Sequence, residues 1–368
     1  MDNSIGNIFR ITSFGESHGD LIGIIVDGVP VGLDFDLKYI QSEMDRRRPG
    51  RSHLTTPRHE EDRVKVLSGI FENKTTGAPI CLIIENTDID SSIYETYRKF
   101  LRPSHIDYPA LKKYHGFSDL RGSGRFSGRI TAGFVMAGAI AKLILKKYGI
   151  EIFAYTKSIG DIVDKREYLP NEMNKLFELR EKSIIGAVDQ EISKSMESLI
   201  KGVKKNNDSI GGTIKCIIIN FPAGMGGPVF NSIEANISKF IFAIPGIKGI
   251  EFGAGFNAAK MKGSEHNDPW IIKNGKIQTT KNDAGGIIGG LSTGMPIEFT
   301  VAVKPAASIG LSQKTVNIET KENVDIQFSG RHDPCIVPRV IPVVEAMIAN
   351  VLLDILLLEG FIPRILKS

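Results

Sequence analysis

Gly122-Ser123-Gly124-Arg125-Phe126-Ser127-Gly128 leads into a long Ala- and Gly-rich run, Ser127 to Lys147, which has the composition of a closely packed helix. Read as a dinucleotide fingerprint, this stretch would fix a doubly wound parallel sheet. Its spacing is GxGxxxG, however, and it follows the polar segment Lys112–Arg121 where the fingerprint requires a buried strand. The Rossmann reading is therefore rejected. What remains is a helix start with free backbone N–H groups and two arginines, Arg125 and Arg129, which together suit an anion. No Walker A sequence occurs, which argues against ATP chemistry.

Outward from this stretch, β-like runs come in adjacent pairs more than in alternation with helices. Ile8 to Thr12 and Ile22 to Val29 read as strands joined by the turn Phe14–Gly19. Leu37 to Arg47 has helical spacing and ends before Pro49. Val64 to Phe71 and Ile80 to Glu85 are β-rich, with Thr75-Thr76-Gly77 as a turn between them. Arg102-Pro103-Ser104-His105 reads as a loop. Two further β-like runs lie at Ile150–Tyr155 and Thr213–Phe221, and Ile297 to Val303 is another strand. This pairing favours an α+β fold with antiparallel sheets. Residues 161–205 carry 18 charged side chains in 45 and read as a solvated helical excursion. With no Pro/Ser linker and no clear repeat, residues 1–368 read as a single domain.

Of the 368 residues 42% are hydrophobic, enough for a substantial core, and the net charge is +4. The distribution of charge says more than its sum. Arg46 to Arg58 contains five Arg, one His and no acid, and Arg121 to Arg129 contains three Arg and no acid. Such runs suit a small, multiply charged anion; the alternative is a solvated basic surface. Cys81 and Cys216 sit in apolar runs, and no Cys/His metal spacing appears around them or Cys335, which points to a reducing compartment without structural zinc. The N-terminus lacks a signal-peptide pattern. The apolar stretch Ile341–Leu358 is broken by Glu345, Asn350 and Asp354, and so reads as a buried helix rather than a membrane span.

Two of the histidines stand out. His18 follows Glu16-Ser17 and is bracketed by Gly15 and Gly19; His105 follows Arg102-Pro103. Near anions the charged imidazole is favoured, so either suits a general acid, although a lone loop histidine is more often structural. In Gly330-Arg331-His332-Asp333-Pro334-Cys335, Arg331 and His332 would keep Asp333 ionised and able to act as a base; the alternative is an Asp paired to Arg331.

Ten ordered motifs carry a family resemblance along almost the whole chain. They are Phe14–Gly19, Val26–Pro30, Asp45–Gly50, Leu67–Gly69, Ile84–Asp88, Arg102–Tyr108, Arg121–Ser127, Asp208–Gly212, Gly285–Gly290 and Gly330–Cys335. The chain resembles the chorismate synthases, which convert 5-enolpyruvylshikimate 3-phosphate to chorismate by 1,4-elimination of phosphate with no net redox change. The resemblance implies a helical core sandwiched between antiparallel β-sheets, dependence on reduced FMN, NADPH only indirectly for flavin reduction, and a cytoplasmic homotetramer. It implies no nucleic-acid or membrane partner. By motif matching, His18 would protonate the reduced flavin, His105 would assist the departing phosphate, and Asp333 would act as base through flavin N5. Arg47, Arg48, Arg129 and Arg339 would hold substrate. Arg125, Phe126, Ser127, Pro245, Gly246, Gly289, Lys304, Pro305, Ala306, Ala307, Ser308 and Arg331 would contact FMN. The chain departs from the family pattern at Phe126, where a small Ser is usual, at Ile130 (an acid), at His53 (an Arg) and at Asp283 (a His). The rival readings are a hydride-transferring flavin oxidoreductase and a nucleic-acid-binding module using the Arg46–Arg58 run.

Overall fold

The computed structural model describes residues 3–50, 54, 60–88, 91, 94, 97–168, 172–328 and 333–366. Hydrophobic alternation builds two five-stranded antiparallel sheets. In the first, Ser4–Ile5, β1 (Arg10–Gly15), β2 (Leu21–Asp27), β4 (Ile80–Glu85) and β3 (Lys65–Ser68) lie side by side in that order. Ile80, Leu82 and Ile84 alternate inward on β4, opposite the buried Ile22, Ile24 and Val26 of β2. The second sheet has the order β7 (Ile247–Phe252), β8 (Ile297–Val303), β6 (Gly212–Ile219), β5 (Glu151–Ile159) and Ile162–Val163. On β8, Ile297, Phe299, Val301 and Val303 form the buried face. Each buried Ile or Phe contributes roughly 1.5–3 kcal/mol relative to exposure.

The sheets enclose helices, so the α+β sandwich expected above is the observed fold. The helices are α1 (Leu37–Arg47), α2 (Asp107–Tyr114), α3 (Thr131–Lys147), α4 (Met173–Lys182), α5 (Gln190–Lys205), α6 (Ile233–Phe242) and α7 (Val337–Leu358). The boundaries of α1, β4 and β8 coincide with the runs seen in the sequence. The Ser127–Lys147 run instead starts with a short 3-10 turn, Gly128–Ile130, before α3 begins at Thr131. Helices α3 and α7 are almost wholly interior. They meet where Gly138 faces Ala346, so closely that a Cβ on Gly138 would sit 2.3 Å from that of Ala346. On the other side of α3, Gly133 rests 3.3 Å (as a built Cβ) from the carbonyl oxygen of Gly23 in β2. Both helices are long and apolar enough to cross a membrane by composition, but 83% and 100% of their apolar windows are buried inside the fold.

The charged residues on and near these helices are not breaks in the pattern but fastenings. Asp354 accepts hydrogen bonds from the backbone N–H groups of Asn7 (2.9 Å), Ile8 (2.7 Å) and Phe9 (2.9 Å), tying the N-terminal segment to α7. Glu345, 1% exposed, accepts from Ala154 N on β5 (3.0 Å), Arg46 on α1 (2.7 Å), Lys142 on α3 (2.9 Å) and Arg180 on α4 (2.5 Å). Residues 161–205 are thus not simply a solvated excursion. Met173, Leu176 and Val188 cover Phe153, Tyr155 and Ile217 on the second sheet, and the Arg180 guanidinium lies over the adjacent rings of Phe153 and Phe177. A charged run hides this face because the partners of Arg180 are distant in sequence.

Burial alone would raise the Glu345 pKa, but Arg180, Arg46 and Lys142 reverse that and hold it well below its ordinary 4.5. The stability it contributes is then complete above that ordinary value and is lost as pH falls through the lowered folded value. Glu345→Gln should cost about 3–5 kcal/mol of unfolding free energy at pH 7, because it leaves buried cations uncompensated. In urea titrations the gap between wild type and variant should narrow as pH falls below about 4.5. Equal midpoints at pH 7 would show that the network contributes nothing.

Candidate active site

Helices α3 and α7 both begin at a cavity of about 640 Å³. Its walls come from the C-terminal end of α1, the start of α3, the start of α7 and the loops 102–106, 123–128, 243–246 and 304–308. Among the described residues six cationic side chains line it, Arg47, Arg102, Arg125, Arg129, Lys304 and Arg339, against one carboxylate, Asp333. The positive ends of two long helices add to that bias. Ile244, Ile336, Val340 and Val343 supply an apolar wall.

The cations are held by groups behind the lining. Asp62, buried, accepts from Arg47 Nη1 (3.0 Å) and also from Arg129 Nη1. Arg47 further donates to Thr131 Oγ1 (3.2 Å) and Gly128 O (3.0 Å), and Arg129 to Asn86 Oδ1 (2.9 Å). Burial, with Arg129 and Arg339 adding to it, holds the Arg47 pKa below its ordinary value while Asp62 opposes the shift. A guanidinium so placed remains a cation at neutral pH. Arg125 and Lys304 bind backbone carbonyls instead of carboxylates. Arg125 donates to Gly15 O (2.8 Å) and Ser13 O (3.0 Å), and Lys304 to Ser104 O (3.0 Å). Among the described residues neither forms a salt bridge with a carboxylate, although Glu16 lies near enough to Arg125 to act on its charge, so the cavity retains positive potential for an anion.

The titratable groups are fixed by their neighbours. Arg102 grips Asp107 through its backbone N–H (2.9 Å), Nε (2.9 Å) and Nη2 (2.6 Å). Burial opposes ionisation of Asp107, but the bonds from Arg102 and the facing His105 hold the carboxyl well below the usual carboxylate range. His105 Nδ1 lies 3.6 Å from Asp107 Oδ1, and its Nε2 lies 3.3 Å from Ser123 Oγ. His18 is buried just behind the lining. Its Nδ1 meets Ser91 Oγ at 2.8 Å, and its ring stands edge-on to Tyr94, itself a lining residue. Asp333 Oδ2 accepts from Arg339 Nη1 at 2.5 Å, a partner in the first turn of α7 that the sequence reading did not consider.

Of the residues singled out in the sequence, the cavity lining gathers Arg47, His105, Arg125, Phe126, Ser127, Arg129, Pro245, Gly246, Lys304, Pro305, Ala306, Ala307, Ser308, Asp333 and Arg339. Arg48 is not in the lining; it is part-exposed and 3.5 Å from Asp45. Gly289 lies in the hairpin Ile287–Ser292, also outside the lining. Arg331, His332 and His53 fall outside the described residues. Sequence reasoning missed Asp62, Arg102, Asp107 and Ser123 as members of the site. The Arg102–Tyr108 motif contained two of them, but only the fold shows the salt bridge between them. The combination of anion-binding groups and an apolar wall fits a phosphorylated flavin, and the buried His105 Nδ1 has no hydrogen-bond partner among the described residues.

Comparison with known proteins agrees with this chemistry. The family model described as chorismate synthase matches residues 9–357. A curated chorismate synthase of Dehalococcoides mccartyi is 51% identical over 368 residues, covering 100% of both chains. One from Methanosarcina barkeri is 47% identical, covering 99% of each. A crystal structure of a chorismate synthase superposes with a TM-score of 0.76 at 30% identity, covering 96% of this chain and 93% of the other. The chain belongs to the chorismate synthase family, carbon–oxygen lyases of the shikimate pathway.

Asp62 balances two buried guanidiniums at once. Asp62→Asn should cost about 3–5 kcal/mol of stability, since breaking a buried pair leaves its partner uncompensated. The midpoint of chemical unfolding checks this, and an unchanged midpoint would remove Asp62 from the account of how the cavity is held.

Proposed function

We propose that this member of the chorismate synthase family eliminates phosphate from 5-enolpyruvylshikimate 3-phosphate to give chorismate, with reduced FMN bound in the same cavity. The observation that carries the reading is the lining itself, with six cations and one carboxylate among the described residues around a space of about 640 Å³. Substrate and FMN together bring two phosphates and the substrate's carboxylates, and guanidiniums suit such groups through paired, charge-assisted hydrogen bonds.

Arg47, Arg129 and Arg339 hold the substrate anions, and Arg48 assists from the rim beside Pro49. Arg125, Phe126 and Ser127 on one wall, and Pro245, Gly246 and Lys304–Ser308 on the other, hold FMN; motif resemblance alone supports adding Gly289 and Arg331. When bound, reduced FMN supplies electron density transiently as phosphate leaves and regains it as the substrate hydrogen is lost. His105 carries a proton on Nε2, the side facing the cavity, for the departing phosphate. His18 keeps a second proton close behind Tyr94 and Gly122. Asp333 accepts the proton lost by the substrate, and Arg339, 2.5 Å away, holds its carboxylate in place. Ile244, Ile336, Val340 and Val343 exclude water from one side. In this reading the enzyme is cytoplasmic and takes NADPH only indirectly, through flavin reduction. The homotetramer rests on the family resemblance, and exposed Val229, Phe230 and Phe242 suit an interface between copies.

The deciding experiment is an anaerobic assay of phosphate release with substrate, with and without reduced FMN. Turnover should depend wholly on the reduced form and should leave the flavin's redox state unchanged. Equal turnover with oxidised FMN and no reductant, or stoichiometric flavin oxidation, contradicts the reading. His105→Ala should lower kcat by roughly 10²–10⁴ while the protein stays folded. Asp333→Asn should fold, bind both ligands and stall in a single anaerobic turnover; near-normal chorismate formation by that variant would return Asp333 to a purely structural role.

A further inference from the structure

Three consecutive residues, Gly122, Ser123 and Gly124, have φ of +55°, +71° and +48°. Glycine adopts such values without strain, but serine does not, so Ser123 costs stability where it stands. Ser123 is buried, and among the described residues the one side-chain hydrogen bond it makes is to His105 Nε2, at 3.3 Å. On the other side of the His105 ring, the Asp107 carboxylate faces Nδ1 at 3.6 Å. Asp107 cannot turn away, because three Arg102 donors fix it. The same segment also bounds His18: a Cβ on Gly122 would lie 2.1 Å from His18 Cδ2 and 2.4 Å from its Nε2. One left-handed turn therefore touches both imidazoles.

We infer that Ser123 is a positioning residue for His105, holding the ring with Nδ1 toward Asp107 and Nε2 toward the cavity in both protonation states. This rests on the reading of His105 as the group that gives up a proton in the cavity. A carboxylate opposite Nδ1 selects the tautomer with hydrogen on Nδ1. In neutral His105, Nε2 is then an acceptor and takes the Ser123 O–H. In charged His105, Nε2–H rests on Ser123 Oγ until the departing phosphate takes the proton, after which the ring is neutral and Nε2 accepts again. A hydroxyl serves both states because it both donates and accepts. Glycine, the residue the backbone prefers here, serves neither. The strain at Ser123 is thus accounted for by a contact that must survive a change in proton number.

Two substitutions separate the hydroxyl from the backbone. Ser123→Ala removes Oγ and keeps the strained Cβ; Ser123→Gly removes both. If the inference holds, both variants lower kcat by about tenfold to a hundredfold, with KM little changed, as expected for a misplaced reacting group. Ser123→Gly should nevertheless raise Tm above that of Ser123→Ala. With ¹⁵N-labelled histidine, the His105 Nε2 resonance should move in both variants while those of His18 stay in place. Wild-type kcat in Ser123→Gly, or an unmoved His105 resonance, overturns the inference. His105→Ala in the same assay separates the two claims. If that variant keeps normal kcat, the proton role of His105 fails, and the ¹⁵N spectrum still decides whether Ser123 fixes the ring. If it loses kcat while both Ser123 variants keep theirs, only the positioning claim fails.

Discussion

The close approach of α3 and α7 at Gly138 and Ala346 is the constraint on which the rest depends. Two interior helices that touch almost backbone to backbone leave each its opposite side for a sheet, α3 for the first and α7 for the second. They also run in the same sense, because Arg129–Thr131 and Ile336–Val340 line one cavity from their two starts. The site is therefore a product of the packing. The helices deliver two N-terminal ends, and the loops from both sheets have only to close around them. A larger residue at position 138 would separate the helices, since well-packed interiors do not absorb added volume cheaply.

Bringing so much charge into an apolar frame has its own physical condition. Each buried cation needs a partner, and the structure supplies carboxylates in two sets. Glu345 and Glu43 serve Arg46, Lys142 and Arg180 deep between the helices. Asp62 and Asp107 serve Arg47, Arg129 and Arg102 directly behind the cavity. The second set holds the guanidiniums in place before a ligand arrives. Side chains already ordered need lose little further freedom on binding, which is the general advantage of preorganisation. Asp62 and Asp107 thus work at one remove from the chemistry, through the arginines they hold.

Much of this was readable in the sequence, for reasons that also explain what was not. The period-two pattern of Ile80–Glu85 and Ile297–Val303 and the helical pattern of Leu37–Arg47 are local, and each appears in the structure with the boundaries read from the sequence. Motif order identified the family, and rejection of the dinucleotide fingerprint excluded the wrong sheet. Long-range pairings left no such trace. Glu345 looked like an interruption of an apolar run because its partner Arg46 is 299 residues away. Arg180 looked solvated because charge composition does not show which face of a helix is covered. The left-handed backbone at Ser123 was invisible because a serine between glycines reads only as a turn. Short elements such as α6 and the strand Ile247–Phe252 were also missed, their patterns being too brief to stand out beside loop-rich neighbours.

The central claim is that a carboxylate-braced set of cations receives the phosphates of substrate and flavin in one cavity. A crystal structure with substrate and oxidised FMN bound tests it most directly. The account predicts both phosphates inside the cavity, in contact with side chains among Arg47, Arg125, Arg129, Lys304 and Arg339, while Asp62 still bridges Arg47 and Arg129. A phosphate bound elsewhere on the surface, or a ligand seated only after Asp62 has released its arginines, would contradict it.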